Sequence, residues 1–431
     1  MQVRFHTLGC KVNQYETEAM KKQLSAAGFE TGEYAPGDRV GDAVVVVNSC
    51  TVTGESDRKL RQLLRRCRRD NPACTLVLTG CMPQAQPETA GAFTEVDIVL
   101  GNAARRELPR HLAAFLTHRQ RIVSIPPHST TYEPLDIQAF QGRTRAYVKI
   151  QDGCNRFCSY CIIPYARGRV RSRDPEDIRL ELERLAEQGY KEVVLVGINL
   201  TAYGQDNGLT IADAVEAACA VEGLQRVRLG SLEPDYMDDA TLDRLEKQEK
   251  LCPQFHLALQ SGCDATLKRM NRHYTTAEYA TLCDNLRRRF PGCAITTDVM
   301  VGFPGETPEE FDSSCRFVEQ IGFARVHVFA YSRRPGTVAD RLPGQVDNSE
   351  KARRSRRMIS LCAKSAAAYA DTLVGCTLPV LLETESPDGT VTGHTATYIP
   401  VQVTTHRHNG ELVSVHITDR QGETLLGTEV N

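Results

Sequence analysis

β-Rich runs alternate with helical segments along most of this chain, and no other feature restricts its fold so strongly. The first series is QVRFHTL then NQYETEAMKKQLSAAG, AVVVV then SDRKLRQLLRRCRR, and TLVLTG followed by VDIVLG and AARRELPRHLAAFL. Parallel strands need a crossover, usually a helix, so this alternation specifies a Rossmann-like parallel sheet with helices on its faces. In such sheets the carboxyl ends of the strands share an edge, which is where ligands bind. Three runs end on a cysteine there: VRFHTLGC at Cys10, VVVVNSC at Cys50 and CTLVLTGC at Cys81. The topology brings these thiols to one edge. On the residues alone, small buried hydrophobes are an equally good reading of them.

Residues 126–144, PPHSTTYEPLDIQAFQGRT, carry neither period and read as a linker. Six more strand candidates follow, RAYVKI, EVVLVG, QRVRLGS, FHLALQ, AITTDVMVG and ARVHVFAYS, each set off by helical stretches. Asp174-Pro175 starts one helix and Gly189 ends it. Six units are fewer than a closed barrel of this kind uses, so residues 145–348 are expected to form a partial, open (β/α)6 barrel that admits a large substrate. A basic helix over 349–370 leads to short strands in 371–431, TLPVLLE, TVTGHT, YIPVQVTT, ELVSVHIT and ETLLGT, which suggest a small closed all-β barrel. The expected division is 1–125, linker 126–144, 145–348, 349–370 and 371–431, an α/β chain with a small all-β end.

At 431 residues the chain is too long for one core, and no apolar run approaches the ~20 residues of a membrane helix. The start lacks an apolar signal segment, so a cytoplasmic location with reduced thiols is expected. Sixteen cysteines in that setting favour metal binding or catalysis over disulfides. A net charge of −2 gives no global nucleic-acid signal, so an RNA partner would use local patches. Arg58, Arg61, Arg65, Arg68 and Arg69 fall on one helical face opposite Leu60, Leu63, Leu64 and Cys67. Arg167, Arg169, Arg171 and Arg173 alternate in a run expected to be extended, which places them on one side.

The stretch DGCNRFCSYCIIPYARGR follows the first barrel strand. Cys154, Cys158 and Cys161 form Cys-x3-Cys-x2-Cys, three soft ligands in one loop, and a [4Fe-4S] cube needs four. No fourth cysteine of ferredoxin or zinc-site spacing is present. An iron without a protein ligand leaves a position for a small molecule.

This loop in its βα context resembles the radical S-adenosylmethionine superfamily. The resemblance implies that the unligated iron chelates the amino and carboxylate groups of S-adenosylmethionine, with Tyr160 beside the adenine. LGCKVNQYETE, VVNSCTVT, TGCMPQ, GCNRFCSYCIIPYARG, LQSGCDATLKRMNR, DVMVGFPGET and HVFAYSRRPGT look like the methylthiotransferase family over nearly the whole chain. The likeness implies that Cys10, Cys50 and Cys81 hold a second [4Fe-4S] cluster, which carries the sulfur to be inserted, and that the terminal barrel is an RNA-binding TRAM domain. Ser49 and Met82-Pro83 depart from the commoner forms of the family's motifs and remove no ligand.

LGCKVNQYETE with NSCTVTGESDRKLRQLLRR resembles the branch acting on threonylcarbamoyladenosine in tRNA. Carbon 2 of adenine is neither acidic nor electrophilic, so a radical route is implied: reductive cleavage of S-adenosylmethionine, then substitution, with a second S-adenosylmethionine giving the methyl group. Asn199, Glu233 and Gln260 lie just past barrel strands and are candidates for contacts to S-adenosylmethionine, while Glu233 is alternatively a partner for an arginine. The implied partners are tRNA, a reductant such as flavodoxin or ferredoxin, and a sulfur donor, without a membrane. The rival readings are the same chemistry on isopentenyladenosine or a ribosomal-protein aspartate, and a non-catalytic iron-sulfur protein that binds RNA or carries electrons.

Overall fold

The computed structural model describes every residue except Asp136, Gln138, Ala139, Gln141, Gly142, Asp388 and Asn431. It folds into two compact units: Met1–Ala139 with Gln151–Arg173 and Ser332–Asp340, and Phe140–Ile150 with Asp174–Tyr331 and Arg341–Asn431. Several of the undescribed residues fall in the expected linker. Leu135 and Ile137, in that same stretch, are buried, and the Tyr15 hydroxyl donates to the Leu135 carbonyl at 2.5 Å.

In the first unit β1 (Gln2–Thr7), β2 (Glu30–Glu33), β3 (Val44–Ser49), β4 (Thr75–Gly80), β5 (Ile98–Leu100) and β6 (Ile122–Ser124) form one sheet in the order β2-β1-β3-β4-β5-β6. All five pairings are parallel. The four valines of β3 divide between two cores. Val45 and Val47 pack with Leu60, Leu64, Leu76 and Leu78, whereas Val44 and Val46 pack with Met20, Leu24, Ile98 and Leu112. Successive side chains of a strand point to opposite faces, so a strand covered by helices on both sides must be apolar at every position. Helices α1 (Lys11–Ala26), α2 (Gly54–Asp70) and α3 (Cys81–Ala85) leave the carboxyl ends of β1, β3 and β4. That is the edge on which the cysteines stand.

In the second unit Arg145–Lys149, Glu192–Val196 and Arg226–Leu229 form a parallel sheet. Ser231–Leu232, Gln254–Leu257, Ala294–Val301 and Arg325–Ala330 form another, and only Gly230 separates Leu229 from Ser231 in the chain. Six βα units thus make the partial barrel expected from the sequence. The Asp174 side chain caps helix Pro175–Glu187 by accepting from the Glu176 amide at 2.8 Å. Helix Asn348–Asp371 leads to a closed five-stranded barrel whose interior holds Val380, Leu382, Val401, Val415 and Ile417.

A buried ionic joint lies at the amino-terminal ends of the first barrel strands. Glu192 sits between Arg228 at 2.8 Å, Arg226 at 3.3 Å and Arg145 at 3.8 Å. Arg226 and Arg228 also donate to the His394 and Ala396 carbonyls of the small barrel, each within 3.1 Å. Arg145 and Arg228 lie over the Tyr398 ring at 4.7 and 4.8 Å. Burial alone would raise the Glu192 carboxyl; the three guanidinium groups outweigh it and hold it below the usual glutamate value. A depressed folded pKa adds stability above the unfolded value, which is lost as pH falls through the folded one. Glu192→Gln strands the buried cations of Arg226 and Arg228, while Arg145 keeps Glu383 at 2.9 Å, and is expected to cost about 3 to 5 kcal/mol at neutral pH. Thermal melts should show that loss shrinking as the pH falls below the ordinary carboxylate range; an equal loss at all pH values would refute the account.

Candidate functional site

Glycine sets the shape of the cysteine edge at two turns. Gly9 has φ +127°, and a Cβ there would lie 2.8 Å from Cys50 Cβ, so the β1 exit passes directly against the β3 exit. Gly80 has φ +102°, and its Cβ would lie 2.4 Å from the Ser49 carbonyl oxygen, which brings the β4 exit to the same place. Asn13 ties the exits together: its Nδ2 donates to Asn48 Oδ1 at 3.2 Å and to the Ser49 carbonyl at 3.1 Å, while Cys10 Sγ donates to its Oδ1 at 3.3 Å.

The thiols sense one another. Burial, then the charges of Cys81 and Cys10, push the Cys50 thiol up to about 12. Burial is also the largest influence raising Cys10, and Cys81 adds to it against the opposing Arg167 charge. Cys10 is nevertheless exposed to solvent. Among the described residues no three His, Cys, Asp or Glu side chains converge on a single ion.

The second set lies in the same unit. Cys158 is buried, and Cys154 and Cys161 are half-buried, as is Tyr160. The loop is held through its backbone: the Cys154 amide donates to the Gly168 carbonyl at 3.0 Å, Cys161 to Cys158 at 2.9 Å, and Ala339 to the Ser159 carbonyl at 2.7 Å. Gly153 has φ +77°, and a Cβ there would lie 1.8 Å from the Arg169 carbonyl oxygen. The left-handed conformation alone costs a side chain about 1 to 3 kcal/mol. Gly153→Ala, which adds that clash, should lower the melting temperature. An unchanged melt would show that the turn tolerates a side chain.

Two buried arginines that the sequence reading did not single out for these roles organise the edge. Arg334, from the RRPGT stretch after the last barrel strand, pairs with Asp57 and donates to Thr51, next to Cys50. Arg167 ends the short helix after Cys161 and donates from Nε to Cys81 Sγ at 3.2 Å. A motif with two adjacent arginines before proline was visible as a string, but the partners of Arg334 lie about 280 positions away and no local period reveals them.

The arginine expectations need correction. Arg167, Arg171 and Arg173 are buried and form no solvent face, because the run is a helix end and a short strand paired with Gln151–Asp152. Arg169 alone of the four is exposed, over the Phe157 ring at 5.0 Å. On α2, Leu60, Leu63, Leu64 and Cys67 are buried and Arg58, Arg61, Arg65 and Arg69 are exposed. Arg68 instead braces the sheet, bonding the Glu95 and Cys74 carbonyls and pairing with Asp97 at 2.6 Å.

Within the second unit, Thr201 links two of the sites expected past barrel strands: its hydroxyl donates to Asn199 Oδ1 at 3.3 Å and accepts from the Glu233 amide at 3.0 Å. The Glu233 carboxylate is engaged by Arg272, as the alternative reading had it. Gln260 has φ +65°, and its backbone bonds Asp298 and Met300 of the adjoining strand.

A partial parallel barrel whose first strand runs into a Cys-x3-Cys-x2-Cys loop defines a radical S-adenosylmethionine protein. A model of the Radical SAM superfamily matches residues 148–318, and one described as Uncharacterized protein family UPF0004 matches residues 2–101. The chain is 43% identical over 372 residues, 85% of its length and 82% of the relative's, to a Bacillus subtilis (strain 168) protein named Threonylcarbamoyladenosine tRNA methylthiotransferase MtaB. A Thermotoga maritima protein of that name is 36% identical, covering 98% and 96% of the two chains. A Finegoldia magna protein named tRNA-2-methylthio-N(6)-dimethylallyladenosine synthase is 33% identical, covering 99% and 94%. Among solved structures, the radical S-adenosylmethionine methyltransferase TsrM from Kitasatospora setae shares the fold, with TM-score 0.57 and 17% identity over 79% of this chain and 75% of that one. The chain belongs to the radical S-adenosylmethionine methylthiotransferase family, enzymes that work with S-adenosylmethionine and [4Fe-4S] clusters. No helix of the described residues is long and apolar enough to cross a membrane.

Proposed function

We propose that this enzyme converts N6-threonylcarbamoyladenosine beside the anticodon of tRNA to its 2-methylthio derivative. The observation that supports the reading is that Cys10, Cys50, Cys81, Cys154, Cys158 and Cys161 all belong to one compact unit. The names of the relatives favour threonylcarbamoyladenosine, since those at 36% to 43% identity carry it and dimethylallyladenosine synthases stand at 33% to 35%.

On this reading Cys154, Cys158 and Cys161 hold the cluster that supplies reductive cleavage of S-adenosylmethionine, and Cys10, Cys50 and Cys81 hold the one that supplies sulfur. Tyr160 flanks the adenine of S-adenosylmethionine. Asn199 and Gln260 offer it polar groups, and Glu233 does so with its carboxylate oriented by Arg272. The target adenosine lies in a single-stranded loop, so unstacking it into a pocket costs little. Arg58, Arg61, Arg65, Arg69 and Arg169 keep their heads in solvent and are positioned to meet backbone phosphates. The terminal barrel serves as an RNA-binding TRAM domain. A flavodoxin or ferredoxin supplies electrons, a separate donor renews the sulfur, and the reaction is cytoplasmic.

Mass spectrometry of nucleosides from tRNA of cells with and without this gene tests the reading. The 2-methylthio derivative of threonylcarbamoyladenosine should vanish and its precursor accumulate. Loss of the isopentenyladenosine derivative instead would reassign the substrate.

A further inference from the structure

We propose that Arg167 is a positioning and tuning residue for the cluster held by Cys10, Cys50 and Cys81, raising its reduction potential through the bond to Cys81. The inference rests on the two-cluster reading above and adds to it a link between the two cysteine sets.

The geometry is specific. Arg167 is 1% exposed, and it ends the helix that follows Cys161. Its backbone belongs to the second cysteine loop: its carbonyl accepts from Arg171 at 2.9 Å, and the carbonyl of the next residue, Gly168, accepts from the Cys154 amide. Its side chain belongs to the first. Nε points at Cys81 Sγ at 3.2 Å, and one terminal nitrogen reaches Asn13 Oδ1 at 3.3 Å, the same oxygen that Cys10 Sγ contacts. Glu16 grips the remaining donors in a two-pronged pair.

A simple structural ion pair would not need this arrangement. Glu16 already has a second partner in Arg105, at 2.7 Å. Around it, Arg105, Arg167 and Arg171 meet Glu16, Glu133 and Asp152, three cations against three carboxylates. A thiolate-bound cluster brings negative charge, and Arg167 presents a buried cation and an N–H to one of its sulfurs. Hydrogen bonds and positive charge at a ligating sulfur favour the more negative oxidation state, which raises the potential. Burial keeps solvent from screening the effect.

The test uses the full chain with Cys154, Cys158 and Cys161 changed to alanine, so that only the first cluster contributes. Iron content and the midpoint potential from a spectroscopically monitored redox titration are compared for this parent, Arg167→Gln, Arg167→Lys and the Glu16→Gln/Arg167→Gln pair. The pair leaves no carboxylate stranded. The expected result is parental iron with a potential shifted negative in Arg167→Gln and in the pair, and partial recovery in Arg167→Lys, which keeps the charge. Parental potential at parental iron overturns the proposal, as does loss of iron in both glutamine variants, which would make Arg167 a folding residue. A parent that binds no iron overturns the two-cluster reading itself, and the proposal with it.

Discussion

Changing Cys154, Cys158 and Cys161 to alanine is expected to cut the iron of the anaerobically reconstituted protein from about eight to about four per chain and to abolish cleavage of S-adenosylmethionine. The first effect follows from the ligand count of the proposed reading, in which each triad supplies three thiolates to one cube. The second follows from the open coordination position, which disappears with the cluster that carries it. Folding should survive. The loop is fixed by backbone bonds at Cys154, Ser159 and Cys161 and by the left-handed turn at Gly153, none of which uses a sulfur atom. Two of the three thiols are only half-buried, so their loss leaves little cavity. Iron and sulfide analysis with chromatography of 5′-deoxyadenosine measures both outcomes, and retention of all the iron would sink the assignment.

How much of this was legible beforehand depends on the range of the interaction. The sheet covered on both faces was legible because the alternation of strand and helix is a local pattern, and the inward face of α2 at Leu60, Leu63, Leu64 and Cys67 was legible for the same reason. Cys10, Cys50 and Cys81 were placed at one edge by a rule of parallel topology, which needs only the strand boundaries. The arginine run at 167 to 173 failed because alternation says which residues share a side and nothing about whether solvent reaches it. There the run is a helix end followed by a short strand, so Arg167 and Arg171 turn toward Glu16 and Asp152, carboxylates that no period connects to them, while Arg169 stays exposed. Ser332–Asp340 sits in the unit of the amino-terminal sheet through Arg334, Asp57 and Thr51, a partnership set by tertiary contact alone.

The complementary triple variant, with Cys10, Cys50 and Cys81 changed to alanine, should still cleave S-adenosylmethionine yet form no methylthio product, leaving only unthiolated precursor in the tRNA. Cleavage needs an iron-sulfur centre with an open position, and the loop of Cys154, Cys158 and Cys161 remains intact. Insertion also needs a sulfur atom held for transfer, which this variant has no thiols to anchor. The variant should fold, because Arg167, on losing Cys81, keeps Glu16 and Asn13, and Asn13 keeps Asn48 and the Ser49 carbonyl. Uncoupling is thus the signature: 5′-deoxyadenosine accumulates with no methylthio nucleoside beside it. A normal product yield would refute the second cluster. Loss of cleavage together with insertion would mean that the two centres do not operate separately, as the paired contacts of Arg167 with Cys81 and its own loop could bring about.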